Sequence, residues 1–173
     1  MSEPESDPLL QSFVGRLKHI ANYDAERGIV DMPLVTHEDQ AHWVDESITH
    51  NPGRIGLLLD IPAKTMELLI LEIPAGQTTD LQRHTHESVH CVVEGEGYSE
   101  IGPQSLHWHA GSFIYTPPWV WHRHYNTGAV RAKLITVENS RMLEAMSLAR
   151  RESAGLVTYA EHMASHAAEG PRR

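Results

Sequence analysis

The sequence predicts an all-β domain, a sandwich or barrel of short strands, with a helix at each end. Between residues 54 and 138, eight short stretches rich in aliphatic, β-branched and aromatic residues alternate with turns that contain glycine, proline or asparagine. On both sides of that region, apolar residues recur at helical spacing instead. Many short strands at close spacing are typical of a β-sandwich or barrel.

The N-terminal part is predicted to be a helical segment over residues 7–28, preceded by disordered residues 1–6. Asp7 is a suitable N-cap, and Pro8 follows at the first helical position. The apolar residues with helical spacing are Leu10, Phe13, Val14, Leu17, Ile20 and Ala21. Gly28 marks the end of this segment.

Residues 29–139 are predicted to form the β-domain. The expected strands are RIGLLLDI, TMELLILEI, SVHCVVEG, GYSEIG, SLHWH, SFIYT, WHRHYN and AVRAKLITVE. Many of them are separated by the turn sequences NPG, IPAK, IPAG, EGEG, IGPQ, TPPW and NTG. Alternate residues of a strand face the same side, so the order of side chains along each strand predicts which of them point inward together.

A C-terminal helix is predicted over residues 140–158. Met142, Ala145, Met146 and Ala149 share one face of it, and Gly155 follows. The remaining residues, 159–173, are rich in alanine, histidine and glutamate, and we expect them to be frayed.

Composition limits the function. A chain of 173 residues fits one domain, and a formal charge of −9 argues against a nucleic-acid partner, which needs a basic face. No apolar run approaches a membrane span, and the first ten residues lack the pattern of a signal peptide. The single cysteine, Cys91, excludes an internal disulfide framework. We therefore expect a cytoplasmic protein that binds neither membrane nor nucleic acid.

Histidines are concentrated in one part of the chain: seven of the 13 lie between His84 and His124. Strand parity places His84, His86 and His90 on one face, and His122 and His124 on another. Imidazoles converging inside a β-barrel are costly to bury without partners, and a divalent metal gives each nitrogen lone pair a partner. The alternative is a set of hydrogen-bonded core histidines, which a lone histidine would favour but this clustering does not.

Two motifs in this region resemble those of the cupin superfamily. The first cupin motif, G-x5-H-x-H-x3/4-E-x6-G, is similar to the stretch from Gly76 to Gly97, with seven residues instead of five before His84 and with His90 in the glutamate position. The second, G-x5-P-x-G-x2-H-x3-N, resembles the stretch from Gly111 to Asn126, with Trp119 in the glycine position. The resemblance implies the cupin jelly-roll β-barrel.

Carried over residue by residue, the resemblance implies one divalent transition metal held by His84, His86, His90 and His122. Fe(II) is the metal expected, and Mn, Ni or Zn are alternatives. Four neutral imidazoles would leave the full positive charge on the metal, which favours an anionic ligand in a chain that is negative overall. Alternatively, His90 lies behind a three-histidine site and does not touch the metal.

The segment TPPWVWHRHYN resembles the T-P-x-W-x-W-H-D-H-x-N segment of gentisate 1,2-dioxygenases and their 1-hydroxy-2-naphthoate relatives, and HTHESVHCVVEGEGY is similar to their first motif. Those enzymes use Fe(II) to cleave an aromatic ring with O2. The likeness implies a pocket role for His124, and strand parity adds Gln82 as a second candidate catalytic residue. Arg123 departs from the aspartate of that segment, and those enzymes usually contain two cupin units.

Three classes of function remain open. The first is an Fe(II) dioxygenase that acts on a small oxygenated substrate, expected to be aromatic and anionic, together with O2. The second is a metal-dependent isomerase, lyase or decarboxylase on the same barrel. The third is a non-catalytic binding module. We also expect a homodimer.

Overall fold

The structure is a computed structural model that describes residues 8–21 and 32–169. The chain divides into two compact units, of which the first ends at Pro33 and the second begins at Leu34. In the first unit, helix α1 covers Pro8–Ala21, within the helical segment predicted from the sequence. Predictions for residues 1–7, 22–31 and 170–173 lie outside the described residues. None of the described helices combines the length and the apolar character needed to cross a membrane.

The second unit contains two antiparallel sheets. The six-stranded sheet has the order β1-β2-β3-β10-β5-β8, and the five-stranded sheet has the order β11-β4-β9-β6-β7. The strands of the first sheet are β1 His42–Val44, β2 Arg54–Leu57, β3 Glu67–Ile73, β5 Ser88–Glu94, β8 Phe113–Thr116 and β10 Ala132–Glu138. Those of the second are β4 Gln82–His84, β6 Glu96–Ile101, β7 Gln104–His109, β9 His122–Asn126 and β11 Arg151–Ser153. Each of the eight predicted strands overlaps one of these, and the short strands β1, β4 and β11 were not predicted as strands.

The two sheets pack face to face around one apolar core, and this arrangement confirms the predicted all-β jelly-roll fold. The fold is a two-sheet sandwich and not a closed barrel, because no ladder joins the outer edges of the two sheets among the described strands. The core residues come from both sheets: Leu71, Ile73, Val92, Trp108, Ile114, Ala132 and Leu134. Each large aliphatic side chain buried here contributes on the order of 1.5–3 kcal/mol to folding.

The C-terminal region differs from the predicted helix over 140–158. Helix α3, Ser140–Ala145, is short, because Arg151–Ser153 leaves the helical path and pairs with β4 as strand β11. Arg150 and Thr85 exchange backbone and hydroxyl hydrogen bonds at the start of this pairing. Long-range pairing with β4 therefore outweighs the local helical spacing.

The last segment, expected to fray over 159–173, forms a helix over Tyr159–Glu169. A reciprocal pair of hydrogen bonds stabilises its first turn: the Thr158 hydroxyl accepts from the Glu161 amide, and the Glu161 carboxylate accepts from the Thr158 amide. This is a capping box, and its sequence signature, TYAE, is visible in the chain. This helix is α4; helix α2, Glu46–Thr49, lies between β1 and β2.

Gly97 on β6 makes the closest backbone approach in the core. A Cβ placed there would lie 2.0 Å from the Tyr125 carbonyl oxygen and 2.6 Å from the Trp108 ring. The absence of a side chain at Gly97 therefore allows β9 and the Trp108 indole to lie against β6. This position closes the first histidine-rich motif, so the motif glycine has a packing role.

We predict that Gly97→Ala lowers the free energy of unfolding by about 1–3 kcal/mol or more, because a methyl group must displace backbone. Denaturant unfolding followed by tryptophan fluorescence measures this loss. Gly15→Ala is the control, since a Cβ at Gly15 meets nothing within 4 Å, and it should be neutral or slightly stabilising. A Gly97→Ala variant as stable as the parent would contradict the packing role.

Candidate functional site

A cavity of about 410 Å³ opens between the two sheets. This volume lies in the range of small-molecule sites. Its wall combines apolar side chains from β2 and β3 with polar side chains from β4, β5, β9 and β10, and residues 48–51 after α2 contribute to it. The predicted candidates that line it are Gln82, His84, His86, His90 and His124.

Five imidazoles form one contiguous group, the histidine cluster, at this cavity. The rings of His84 and His86 stack at 3.6 Å between centroids, and His84 meets His122 edge-on at 4.6 Å. His122 lies 6.0 Å from His124, which in turn meets His90 at 4.6 Å. The structure thus brings together every histidine that the sequence proposed for the site.

His84 and His122 have the same hydrogen-bond pattern. The Nδ1 atom of His84 lies 2.8 Å from the carbonyl oxygen of His86, and that of His122 lies 2.8 Å from the carbonyl oxygen of Val120. A carbonyl oxygen can only accept, so both Nδ1 atoms carry the proton. Both Nε2 atoms are therefore left with lone pairs, which is the tautomer that suits metal ligands oriented by a backbone carbonyl.

His90 has a different pattern. Its Nδ1 lies 2.8 Å from the Thr136 hydroxyl and its Nε2 lies 3.1 Å from the Thr116 hydroxyl. Both ring nitrogens are occupied, so His90 presents no lone pair to a metal in this arrangement. This arrangement favours the alternative in which His90 lies behind the site, and the role of His90 as a fourth ligand stays a prediction.

His86 contacts a carboxylate that sequence reasoning missed. Its Nε2 lies 3.3 Å from Oε2 of Glu138, at the end of β10. Burial opposes ionisation of Glu138, but His86, Ser140 and His84 together outweigh it and keep the pKa of this carboxyl below its usual value. The signal was available, because Glu138 has the same strand parity as the inward-facing Thr136.

Gln82 and Arg151 meet at the cavity wall. The Nε atom of Arg151 donates to Oε1 of Gln82 over 2.9 Å, and its Nη2 donates to Asp80 over 3.0 Å. Asp80 is buried and also accepts from Asn51 and Ser153. The sequence did not indicate Arg151 as a cavity residue, because its segment was predicted to be helical. In the structure Arg151 lies on β11, beside β4.

Arg123 and Trp119, which depart from the motif sequences, are each accommodated in a different way. Arg123, in place of aspartate, lies on the opposite face of β9 from the histidines and pairs with Glu100 at 2.6 Å. Trp119, in the glycine position, adopts φ 60°, a left-handed conformation that glycine accepts more readily. Its amide donates to the carbonyl oxygen of His84, and its ring stacks on the Arg83 guanidinium at 4.5 Å.

Burial dominates the electrostatics of the histidine cluster. Burial, with a smaller contribution from neighbouring histidines, lowers the pKa of His84 to about 4 and that of His90 to about 3. The pKa values of His122 and His124 also lie well below the usual value, for the same reason. The four rings are therefore neutral near pH 7, the form in which imidazole binds metals.

Within residues 8–21 and 32–169, no three histidine, cysteine, aspartate or glutamate side chains are grouped so that they could hold a metal ion. The chemistry of the donors nevertheless fits a divalent transition metal. His84 and His122 are neighbouring, neutral, and each has its Nε2 lone pair set by a backbone carbonyl. The ring of His86 is stacked on one of them.

Comparisons with known proteins agree with the fold and the motifs. The family model of the cupin domain matches residues 69–138. Over 80 residues, 46% of this chain, the sequence is 34% identical to gentisate 1,2-dioxygenase 1 of Aquipseudomonas alcaligenes. That match spans 22% of the length of the relative.

Two solved structures share the fold, each with a TM-score of 0.56 and 18% identity. One is a cupin-2 domain from Rhodospirillum rubrum, and the match covers 80% of this chain and 88% of that chain. The other is a mutant of salicylate 1,2-dioxygenase from Pseudoaminobacter salicylatoxidans, and the match covers 99% of this chain and 56% of that chain. Residues 69–138 therefore resemble a cupin domain, and the chain has the same fold as these two structures.

We predict that the metal-free protein loses stability as the pH falls from about 6.5 toward about 4. An unfolded imidazole takes up its proton near pH 6.5, whereas the folded state holds His84 neutral down to a pKa of about 4. Between these values the unfolded state binds more protons, so the free energy of unfolding decreases with decreasing pH. The melting temperature should fall by roughly 5 °C or more across this window.

Calorimetric melting at several pH values measures the effect. His84→Gln should flatten the profile, because it removes one suppressed titration. His107→Gln, at an exposed position on β7, should leave it unchanged. A parent melting temperature that is constant across the window would show that the buried imidazoles do not resist protonation.

Proposed function

We propose that this protein is a metal-dependent cupin enzyme, and specifically an Fe(II) dioxygenase that acts on a small, oxygenated, aromatic and anionic substrate. The proposal rests on one observation: the rings of His84 and His122 lie 4.6 Å apart, each has its Nδ1 atom beside a backbone carbonyl oxygen, and His84 lines a cavity large enough for such a substrate. The local similarity to a gentisate dioxygenase supports the choice of reaction.

In this proposal His84, His86 and His122 hold the metal, and His86 becomes a ligand when its Nε2 no longer donates to Glu138. Bound Fe(II) would supply the centre at which O2 and the substrate meet. His90 stays between its two threonine hydroxyls and supports the cluster from behind. Mn, Ni and Zn remain alternatives, because the same imidazole donors bind them.

One cationic side chain at the cavity wall, Arg151, supports an anionic substrate. Arg151 lies at the wall with its guanidinium oriented by Gln82 and Asp80. A guanidinium held in this way can donate to a carboxylate with little further loss of side-chain freedom. Gln82 takes part by holding Arg151 through its carbonyl oxygen, so it is a candidate for substrate positioning and not for proton transfer.

A second function, a metal-dependent isomerase, lyase or decarboxylase, is favoured by Glu138. This carboxylate is ionised and lines the cavity at 3.3 Å from His86. A carboxylate in a cavity can act as a general base, which an isomerase or a lyase needs. A non-catalytic binding module is the third possibility. The homodimer and the cytoplasmic location expected from the sequence stay predictions.

We predict that His84→Ala and His122→Ala abolish stoichiometric metal binding, whereas His90→Ala retains close to one metal per chain. The reason is that only the first two residues offer an Nε2 lone pair set by a backbone carbonyl. Elemental analysis after dialysis against Fe(II) or Zn(II) measures the metal content. His107→Ala is the control for the loss of a histidine from a strand. If His90→Ala folds but binds no metal, His90 is a ligand.

We predict that the Fe(II)-loaded protein consumes O2 when it is given a hydroxylated aromatic carboxylic acid. An oxygen electrode, with absorbance to detect ring cleavage, measures turnover on gentisate, salicylate and 1-hydroxy-2-naphthoate. Arg151→Gln should raise KM for these acids by about tenfold, the effect of losing one charge-assisted hydrogen bond.

His122→Ala should be inactive in the same assay, and uncharged phenols should be poor substrates of the parent. Substrate conversion without O2 uptake would replace the dioxygenase by the isomerase, lyase or decarboxylase class. Binding of these acids without conversion by the metal-loaded protein would support the binding module.

A further inference from the structure

Behind His124 lies a buried pair of side chains that does not line the cavity. Ser99 on β6 pairs across the sheet with His124 on β9, and Trp108 on β7 pairs with Gly97 of β6. Ser99 is fully buried, and His124 and Trp108 are 2% and 4% exposed. The three side chains thus form a dry row across three adjacent strands.

The hydrogen bonds of this row have a single consistent direction. The indole Nε1 of Trp108 can only donate, and it donates to Oγ of Ser99 over 2.9 Å. Among the described residues, the only other partner of that oxygen is Nδ1 of His124, at 2.7 Å. If Nδ1 carried the proton, the Ser99 hydroxyl hydrogen would have no acceptor in a place that water does not reach. The Ser99 hydroxyl therefore donates to Nδ1.

We propose that Ser99 and Trp108 are positioning residues that hold His124 in the tautomer with its proton on Nε2, so that His124 serves as a hydrogen-bond donor to a substrate oxygen in the cavity. His84 and His122 are held in the opposite tautomer, because their Nδ1 atoms face carbonyl oxygens. The partner of Nδ1 thus separates two of the three proposed metal ligands, His84 and His122, from the donor within one histidine cluster.

The backbone around His124 supports this role, because it leaves the ring little freedom. The amide of His124 donates to the Thr79 hydroxyl over 2.9 Å, and its carbonyl oxygen accepts from the Thr79 amide over 2.9 Å. On the far side of the row, Gly97 leaves the space in which the Trp108 ring lies. The hydrogen-bond direction and the ring orientation are therefore both set before any ligand enters.

A donor at this position favours ligands that present an oxygen acceptor, such as a phenolate, a carboxylate or a carbonyl. Nε2 of His124 has no hydrogen-bond partner among the described residues, and His124 lines the cavity. While it carries a proton, this nitrogen cannot bind a metal. The catalytic use of this donor rests on the proposed function, but the tautomer does not.

The tautomer can be read directly in the full-length, metal-free protein by long-range proton–nitrogen NMR correlation of the imidazole nitrogens near neutral pH. We expect Nε2 of His124 to be protonated and Nδ1 to show the shift of a hydrogen-bonded acceptor. The spectrum should show the reverse assignment for His84 and His122. Protonated Nδ1 in His124 of the parent protein overturns the proposal, and this measurement needs no variant to fold.

Ser99→Ala should move the His124 nitrogen signals toward the other tautomer. Ser88→Ala is the matched control, since Ser88 is also a buried serine on a core strand, and its hydroxyl bonds to Glu138 and not to His124. Unchanged His124 signals in Ser99→Ala, with the fold intact, would remove Ser99 from the proposal. Trp108→Phe should shift the same signals in the same direction by a smaller amount, and no shift would remove Trp108.

If the protein turns over a substrate, Ser99→Ala should lower kcat by about tenfold or more with unchanged metal content, because a misdirected donor weakens transition-state contacts. An unchanged kcat together with the expected NMR shift would refute the catalytic use of the donor. Absence of turnover in the parent protein bears on the proposed function alone, since the NMR assignment is independent of metal and substrate.

Discussion

The hydrogen-bond partner of the Nδ1 atom in each of His84, His122 and His124 governs the candidate site. Five histidines are packed against one another at a cavity between two sheets, and burial keeps four of them neutral. A neutral imidazole has one donor and one acceptor nitrogen, so the neighbour of Nδ1 decides which role is left for Nε2. Carbonyl oxygens beside His84 and His122 leave lone pairs, whereas the hydroxyl beside His124 leaves a donor.

The fold supplies the hydroxyl neighbours of the histidines from distant parts of the chain. Ser99 comes from β6, Thr116 from β8 and Thr136 from β10, and each reaches a histidine on another strand. The cross-strand register of the two antiparallel sheets brings them within hydrogen-bond distance. The site is therefore an outcome of sheet register, and a slip of one residue in any of these strands would turn the partner to the other face.

The site lacks the carboxylate of the first motif but gains one from another strand. A histidine replaces the motif glutamate at position 90, and its ring nitrogens are hydrogen-bonded to the hydroxyls of Thr116 and Thr136. A carboxylate nevertheless reaches the cavity from another strand, through Glu138 at the end of β10. Arg151 adds a positive charge at the wall. The negative charge of the chain as a whole thus does not describe the cavity, whose wall holds both the carboxylate of Glu138 and the guanidinium of Arg151, which pairs with Asp80.

The sequence by itself determined the all-β class, the eight main strands and the membership of the histidine cluster, because strand alternation and motif spacing are local properties. The sequence predicted the C-terminal region less well. Helical spacing indicated a helix over 140–158, but Arg151–Ser153 forms a strand that pairs with β4. Only the tertiary structure decided that the two ring nitrogens of His90 bond to threonine hydroxyls and that Ser99 faces Nδ1 of His124. It also decided that Arg151 and Glu138 line the cavity. Parity tells which face a side chain lies on, but hydrogen-bond partners come from strands whose register is set by packing of the whole sandwich.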